Sequence, residues 1–197
     1  RGAQRIVVDG GSSDDTTALA HPHAEQVIVA SRGRASQMNA GARRAEGDLL
    51  LFLHADTRLP ADADRLIESA LRAHAWGRFD VRIDAPGRWP AVVAWFMNWR
   101  SRLTGIATGD QAMFMRRDVF ERIGGFAEIP LMEDIDLSRR LKRIGRPACL
   151  AARATTSGRR WSTHGPLRTI WLMWRLRAAY FFGADPARLA ARYADTR

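Results

Sequence analysis

Short apolar runs and amphipathic stretches alternate along the first half of the chain. Four runs rich in β-branched and leucine side chains predict strands, at Arg5–Val8, Gln26–Ala30, Asp48–Leu53 and Gly77–Ile83. Helical stretches follow the first three, beginning near Ser12 or Ser13 and at 35–45 and 61–74. The third run is continuously hydrophobic, which is typical of a parallel strand buried on both faces. The pattern predicts an α/β fold with a mostly parallel sheet flanked by helices.

The second half of the chain is richer in helical patterns than in strands. A Trp-rich helix at Pro90–Leu103 precedes a strand at Gln111–Met115 and a short helix from Arg117. Glu133–Ile144 has the apolar spacing of an amphipathic helix, and Gly145 ends it.

The stretch 167–182 near the C-terminal end is apolar, but Arg168, Arg175 and Arg177 interrupt it. A membrane-spanning helix needs about 20 residues with few charges, so we interpret the stretch as an amphipathic helix. It packs on its own domain, forms a homodimer contact, or makes a peripheral contact with a membrane.

Length and charge narrow the class of protein. With 197 residues the chain is long enough for one well-buried domain. Its formal net charge of +10 comes almost entirely from arginine, since Lys142 is the only lysine. A field of that sign attracts phosphorylated substrates, polyanions and anionic lipid surfaces. No recognised nucleic-acid motif is found, so no nucleic-acid partner is expected. The single cysteine, Cys149, excludes an internal disulfide framework.

Polar residues cluster where the first three predicted strands end. In open parallel sheets ligands bind beyond the carboxyl ends of strands, so we expect these loops to converge. The first loop, DGGSSDDT, combines small residues with acids that accept hydrogen bonds from a nucleobase or a ribose. Its predicted nucleotide-binding residues are Asp9, Gly10, Ser12 and Asp14. The alternative is a glycine-containing turn into a helix capped by Ser12 or Ser13.

The third loop predicts a metal site. Asp56 follows a buried strand, where a divalent ion, Mg²⁺ or Mn²⁺, would bridge the carboxylate and diphosphate oxygens. His54 is a second candidate ligand, and a third, His164, lies near Arg160 and Trp161. The arginine there suits a phosphate. The alternative is that Asp56 caps the next turn.

Glu133 and Asp134 begin a predicted helix. The positive end of the helix dipole favours carboxylates there for structural reasons alone. In the functional interpretation, one acid accepts a proton from an incoming hydroxyl while the other orients it.

Four segments resemble, in the same order, those of the family 2 inverting glycosyltransferases with the GT-A fold. They are IVVDGGSSDDT at 6–16, GRASQMNAGARRAEGDLLLFLHADT at 33–57, GDQAMFMRRDVFERIGGF at 109–126 and MEDIDLSRRL at 132–141. The GRASQMNAG, GDQ and MEDIDL strings are similar to a bacterial subgroup, the selenodomain-associated or arsenosugar-biosynthesis glycosyltransferases. Nothing before Arg5 matches the strand that opens the family's fold, so that first strand is expected to be missing.

The resemblance implies metal-assisted, inverting transfer from a nucleotide sugar, with UDP favoured over GDP, to a small-molecule or lipid-linked acceptor. It implies that Asp134 is the base and Asp56 the metal ligand. Nucleotide contacts are then expected from Asp9, Arg34, Asn39, Arg160 and Trp161. The acceptor side comprises Gly109, Asp110 and Gln111. His54 stands where the family's D-x-D pattern has its first acid, and Ser157 where a glutamine often precedes R-W.

One domain is expected over 1–197, with a nucleotide-binding part at 1–84, an acceptor and catalytic part at 85–164, and a C-terminal tail of amphipathic helices at 165–197. We expect a cytoplasmic protein, at the inner face of the membrane if the tail binds lipid. The alternatives are a nucleotidyltransferase on a related fold and a basic module that binds membrane surfaces or nucleic acid. The enzyme interpretation requires the acids at positions 9, 56 and 134 to face one crevice.

Overall fold

A computed structural model describes residues 2–159 and 166–194. Its strands are β1 (Ile6–Asp9), β2 (Gln26–Val29), β3 (Leu49–Leu51), β4 (Thr57–Arg58), β5 (Trp76–Asp84), β6 (Phe114–Arg116) and β7 (Ala148–Ser157). Its α-helices are α1 (Thr16–Ala20), α2 (Arg34–Arg44), α3 (Ala63–Leu71), α4 (Trp89–Thr104), α5 (Arg117–Arg122), α6 (Glu133–Leu141), α7 (Pro166–Phe181) and α8 (Pro186–Ala194). Short 3₁₀ turns lie at His21–His23 and Gly109–Gln111.

The strands form two sheets of mixed direction. β1 and β2 pair in parallel, and the second sheet has the order β3-β6-β5-β7-β4. In that sheet only β5 and β7 are parallel, whereas the β3–β6, β5–β6 and β4–β7 pairs are antiparallel. The α/β fold with helices flanking the sheet is confirmed, and the described strands pair in both directions, with two parallel and three antiparallel strand pairs. The regular strand-helix alternation stops after β5, where a helix and a 3₁₀ turn lead into a reversed β6.

The longest strand, β7, was not predicted from the sequence. It runs beside β5 from the Gly77–Ala148 pair to the Asp84–Ser157 pair, with an irregularity after Phe79. Its sequence, ACLAARATTS, has no long apolar run and mixes alanine with arginine and threonine. The strand is recognisable through its partner, because β5 supplies the large buried side chains against which small ones pack.

A glycine allows the three central strands to approach each other. A Cβ atom on Gly77 would lie 2.5 Å from the Phe114 ring of β6 and 2.6 Å from the Ala148 carbonyl oxygen of β7. Real Cβ atoms do not approach that closely, so any larger residue would push β6 or β7 away. Phe79 and Phe114 then pack edge to face in the core beside this crossing.

Helix α4 covers the part of β5 that β6 leaves unpaired. On β5, β6 pairs only with Trp76 and Gly77. Further along β5, the Asn98 side chain of α4 forms hydrogen bonds with both main-chain groups of Val81. Arg78, which is fully buried, donates to Asp80 and to the Asn98 carbonyl oxygen. These contacts satisfy a strand edge that would otherwise be buried without partners.

The C-terminal helices pack on the segment that leads into α6. Leu176 of α7 and Leu189 of α8 share a buried cluster with Leu131 and Met132. Ile170, also on α7, packs against a second cluster that includes Val93 of α4. Among the described helices, none has the length and apolar character needed to cross a membrane.

Candidate active site

The loop after β1 is organised by Asp9. This buried carboxylate accepts hydrogen bonds from the main-chain N–H groups of Gly11 and Ser12, both at 2.8 Å, and from the Ser12 hydroxyl. The Ser12 hydroxyl contributes most to holding the pKa of Asp9 below its ordinary value. The Ser12 hydroxyl is therefore not available to cap a helix. Helix α1 begins only at Thr16, with Asp15 at its N-cap position, so Ser13 does not cap it either.

Of the other two candidates of this loop, Gly10 is half-buried and Asp14 lies at the surface. Gly10 packs against the Gln37 side chain of α2. Asp14 is exposed and accepts from the main chain and the hydroxyl of Thr16. The loop therefore presents its backbone toward α2 and holds its own acids with its own donors.

An ion pair joins the starts of two helices that are far apart in sequence. Arg34 begins α2 and Glu133 begins α6, and Arg34 Nε lies 2.8 Å from Glu133 Oε1. The Glu133 side chain is only 3% exposed, whereas Arg34 is 43% exposed. Burial raises the pKa of Glu133, the charge of Asp134 adds to that rise, and Arg34 opposes it. The pair thus holds a carboxylate in the interior directly beside Asp134.

Asp134 is the half-buried acid of the cluster. Its Oδ2 accepts from the Gly109 N–H at 3.1 Å and its Oδ1 from the Ile135 N–H at 2.7 Å. These two bonds orient the carboxylate while leaving part of it accessible. Sequence reasoning placed Gly109 on the acceptor side, and its amide is in direct contact with the predicted base.

His54 and Asp110 form the third part of the cluster. His54 Nδ1 lies 3.4 Å from Asp110 Oδ1, and the ring packs so closely on Gly109 that a Cβ there would be 2.3 Å from Nε2. The hydrogen bond that His54 donates to Asp110 raises the pKa of His54, burial opposes the rise, and the charge of Asp110 strengthens it. The structure thus pairs His54 with Asp110, and the role of His54 as a metal ligand stays a prediction.

Two strained residues hold the cluster in place. Ala112 follows the Gly109–Gln111 turn with φ 46°, and Met132 precedes Glu133 with φ 71°. Non-glycine residues rarely adopt this left-handed conformation, which costs on the order of 1–3 kcal/mol. Both are buried, so packing maintains the strain. Such strain is concentrated at functional sites, and here it flanks both contacts of Asp134.

Two predicted binding residues have structural roles instead. Asn39 donates to the Phe126 carbonyl oxygen and accepts from the Phe126 N–H, both at 2.9 Å. Its amide is therefore used to join α2 to the loop after α5 and does not face a nucleotide. Gln111 is fully buried, and it accepts from the Thr108 N–H and donates to Asn98. A buried capping residue of this kind cannot touch an acceptor directly.

Asp56 lies beside the cluster, two residues after His54. Its carboxylate is exposed and accepts from the Thr57 hydroxyl at 3.4 Å, and its carbonyl oxygen accepts from the Ser157 N–H at the end of β7. Within 2–159 and 166–194, no three His, Cys, Asp or Glu side chains come together as a metal site. The predicted contacts of Arg160, Trp161 and His164 lie outside the described residues.

The structure thus brings together residues from four distant parts of the chain. The cluster comprises Arg34, His54, Gly109, Asp110, Glu133 and Asp134. Sequence reasoning missed two arginines near it, Arg100 and Arg177, whose charges interact with that of Asp134. The one sequence signal for either residue is that it is an arginine with no acidic residue next to it in the sequence. That the acids at 9, 56 and 134 share one crevice stays a prediction.

Several solved structures have a similar fold. Residues 1–349 of S. aureus TarS give a TM-score of 0.61 at 15% identity, covering 79% of this chain and 51% of that chain. TarS with UDP-GlcNAc gives 0.61 at 16% identity, covering 78% and 49%. The mannosyltransferase PcManGT from Pyrobaculum calidifontis, in complex with GDP-Man and Mn²⁺, gives 0.59 at 22% identity, covering 89% and 51%. The chain spans about half the length of these proteins.

This likeness identifies the fold as the GT-A type of glycosyltransferases. The sequence profile of glycosyl transferase family 2 matches residues 4–124, which is more than half of the chain. The protein therefore belongs to glycosyl transferase family 2. A comparison with curated protein sequences found no match.

Replacing Asp110 with Asn should lower the pKa of His54, because the hydrogen bond and charge that raise it are weakened while burial remains. In the wild-type protein a pKa raised above the ordinary 6.5 stabilises the fold fully below pH 6.5, and this contribution is lost as the pH rises through the folded-state pKa. NMR titration of the His54 ring in both proteins measures the change, with the other histidine signals as internal controls. An unchanged His54 midpoint in the variant would show that Asp110 does not set its charge.

Proposed function

We propose that the protein transfers a sugar from a nucleoside-diphosphate sugar to a hydroxyl group of an acceptor, with inversion at the sugar carbon. Family membership supports sugar transfer, and one arrangement supports the mechanism. Asp134 is oriented by the Gly109 N–H and follows the buried Glu133, which is paired with Arg34. This provides an accessible carboxylate in a partly desolvated place, as a general base requires.

In the proposed reaction, Asp134 takes the proton of the acceptor hydroxyl. The hydroxyl oxygen attacks the anomeric carbon from the face opposite the diphosphate, and the carbon–oxygen bond to the diphosphate breaks with its electron pair. Because a single displacement occurs, no covalent enzyme intermediate forms and the configuration inverts. Glu133 is nearly inaccessible, so its role is to position Asp134 and Arg34.

The nature of the donor and acceptor stays a prediction. TarS was solved with UDP-GlcNAc and PcManGT with GDP-Man, which supports a nucleotide-sugar donor as a class. The preference for UDP over GDP, the small-molecule or lipid-linked acceptor and the selenodomain-associated subgroup rest on the sequence resemblance alone. The half-exposed Arg34 is positioned to approach a phosphate from the end of β2.

A divalent ion fits this site only with help from the donor. Asp56 offers one exposed carboxylate, and among the described residues its oxygens have a single weak contact, with the Thr57 hydroxyl. Mg²⁺ is commonly bound by one or two carboxylates together with substrate phosphates, so Asp56 would hold it jointly with the diphosphate. A bound ion would neutralise charge on the leaving diphosphate.

An exposed aromatic surface covers α4 and α7. On α4, apolar side chains at spacings of three and four form a stripe at the surface, and Trp95 stacks on Trp99 with ring centroids 6.1 Å apart. On α7, Arg175 lies over the exposed Trp171 ring. The aromatic surface consists of Trp89, Val92, Trp95, Phe96, Trp99, Leu103, Trp171, Trp174, Phe181 and Phe182.

We assign this aromatic surface to contact with an anionic membrane surface. Tryptophan prefers the membrane–water interface, and a net charge of +10 adds attraction to anionic lipids. The surface extends the predicted membrane contact of 167–182 to a second helix. A cytoplasmic location at the inner face of the membrane and a homodimer through 167–182 stay predictions.

Replacing Asp134 with Asn should reduce turnover by about 100-fold or more, since general-base catalysis contributes that much. Binding of UDP or GDP should stay nearly unchanged, because Asp134 faces the acceptor hydroxyl in this mechanism. Release of nucleoside diphosphate from a panel of UDP- and GDP-sugars measures turnover, and calorimetry measures binding.

The matched control for this variant is Asp136→Asn on the same helix, whose carboxylate pairs with Arg140. It should retain turnover close to that of the wild type. Equal turnover in Asp134→Asn and the wild type would remove Asp134 from the mechanism. Release of pyrophosphate instead of nucleoside diphosphate would indicate nucleotidyl transfer.

Mn²⁺ should increase the affinity of the wild-type protein for a nucleoside diphosphate. Replacing Asp56 with Asn should make this Mn²⁺-dependent increase at least about tenfold smaller, the effect of losing one charged contact. Calorimetry with and without Mn²⁺ measures this gain. Asp62→Asn, at an exposed acid six positions further on, is the control and should keep the full gain. If both variants respond to Mn²⁺ like the wild type, the ion is held elsewhere.

Replacing Trp99 and Trp174 together with Ser should weaken binding to phosphatidylglycerol-containing vesicles by about tenfold or more, since each residue loses apolar burial of about 1 kcal/mol or more. Co-sedimentation measures the binding. Leu19→Ser, an exposed apolar residue outside the aromatic surface, should bind like the wild type. A wild-type protein that ignores vesicles and forms a dimer disrupted by the double substitution would assign the surface to self-association.

A further inference from the structure

Two half-buried arginines whose charges interact with that of Asp134 have buried, unused hydrogen-bond donors. In the described part of the chain, Nε and Nη2 of Arg100 on α4 and Nε of Arg177 on α7 are buried without a hydrogen-bond partner. Arg78 shows what a structural arginine does in this protein: it is fully buried and bonds Asp80 and Ser101. Buried donors are almost always satisfied in native proteins, so these two side chains require a partner.

The two guanidinium groups also repel each other. Burial, together with the charge of Arg177, lowers the pKa of Arg100 to about 10. Burial likewise lowers the pKa of Arg177. An anion bound between these two positive groups would neutralise their charge and accept hydrogen bonds from their unused donors.

Both arginines interact electrostatically with the acids of the candidate site. The charge of Asp134 acts on both arginines, and that of Asp110 acts on Arg177. Their helices follow β5, whereas the loops proposed to bind the nucleotide follow β1, β2 and β3. Leu176, the neighbour of Arg177, packs against the Leu131–Met132 segment that leads into α6.

We propose that Arg100 and Arg177 bind an anionic group, a phosphate or a carboxylate, carried by the acceptor. This inference rests on the proposed function, because it names the acceptor as the molecule whose hydroxyl Asp134 deprotonates. Guanidinium groups bind the two oxygens of such anions in a bidentate manner, which fixes orientation as well as position. An acceptor anchored there would present its hydroxyl to Asp134 while the donor diphosphate occupies the loops on the other side.

Inorganic phosphate serves as the probe for this site. The wild-type protein, saturated with UDP or GDP, should bind phosphate in a saturable manner by calorimetry. Arg100→Gln and Arg177→Gln should each weaken that binding by at least about tenfold, the effect of one charge-assisted hydrogen bond. Arg175→Gln makes the same charge change on the exposed face of α7 and should bind phosphate like the wild type.

Nucleoside-diphosphate binding should remain within about twofold of the wild type in all three variants. Phosphate binding that disappears when the nucleotide is present would mean that the arginines serve the donor diphosphate, and would overturn the proposal. Equal phosphate binding in the wild type and Arg100→Gln, or no binding in either, would also overturn it.

Thermal unfolding distinguishes an anion site from a structural pair. Removing an unpaired buried charge should leave the melting temperature unchanged or higher, and phosphate should raise it in the wild type but not in Arg100→Gln. Variants that unfold would show that the arginines support the fold, against the proposal. Phosphate binding without any nucleotide binding would retain the anion site and reject the proposed sugar transfer.

Discussion

The ion pair between the half-exposed Arg34 and the buried Glu133 is the contact on which the candidate active site depends. It links the start of α2 to the start of α6, which carries Asp134. A carboxylate that is 3% exposed next to a second acid would be costly if left alone. Arg34 supplies the compensating charge, so removing it would leave a buried unpaired acid beside the proposed base. The ion pair therefore holds the starts of α2 and α6 together, because the charge of Glu133 needs that of Arg34.

The surroundings of this pair restrict how Asp134 can lie. Gly109 donates its N–H to Asp134 from one side, while His54 packs on the same glycine from the other. Ala112 and Met132 adopt left-handed conformations immediately beside these contacts. Natural proteins retain such strain where geometry matters more than stability. The arrangement is consistent with a base whose position is set before any substrate binds.

The sequence predicted the elements that depend on local pattern. The starts of α2, α5 and α6 were predicted within one residue, and the strands near Val8, Ile28 and Leu50 exist, because apolar periodicity and helix-ending glycines are local signals. Strand direction was not predictable, since pairing depends on partners distant in sequence. β7 was missed for the same reason, because its small side chains become a core only against β5.

The site was predicted only in part. Glu133 and Asp134 lie where expected, but Asn39 and Gln111 satisfy backbone and side-chain groups instead of facing a ligand. Residue type alone cannot distinguish a polar side chain that completes the fold from one that binds a substrate, since both tasks use the same hydrogen-bonding groups. The contact of Arg34 with Glu133 spans 99 positions, which no sequence spacing reveals.

A crystal structure of the protein with an unreactive UDP- or GDP-sugar analogue bound tests the central claim most directly. The account predicts that the diphosphate lies near Arg34 and Asp56, and that the Asp134 carboxylate faces the anomeric carbon from the side opposite the diphosphate. A sugar bound away from Asp134 would contradict this expectation. An Asp134 carboxylate on the same side of the anomeric carbon as the diphosphate would contradict it too.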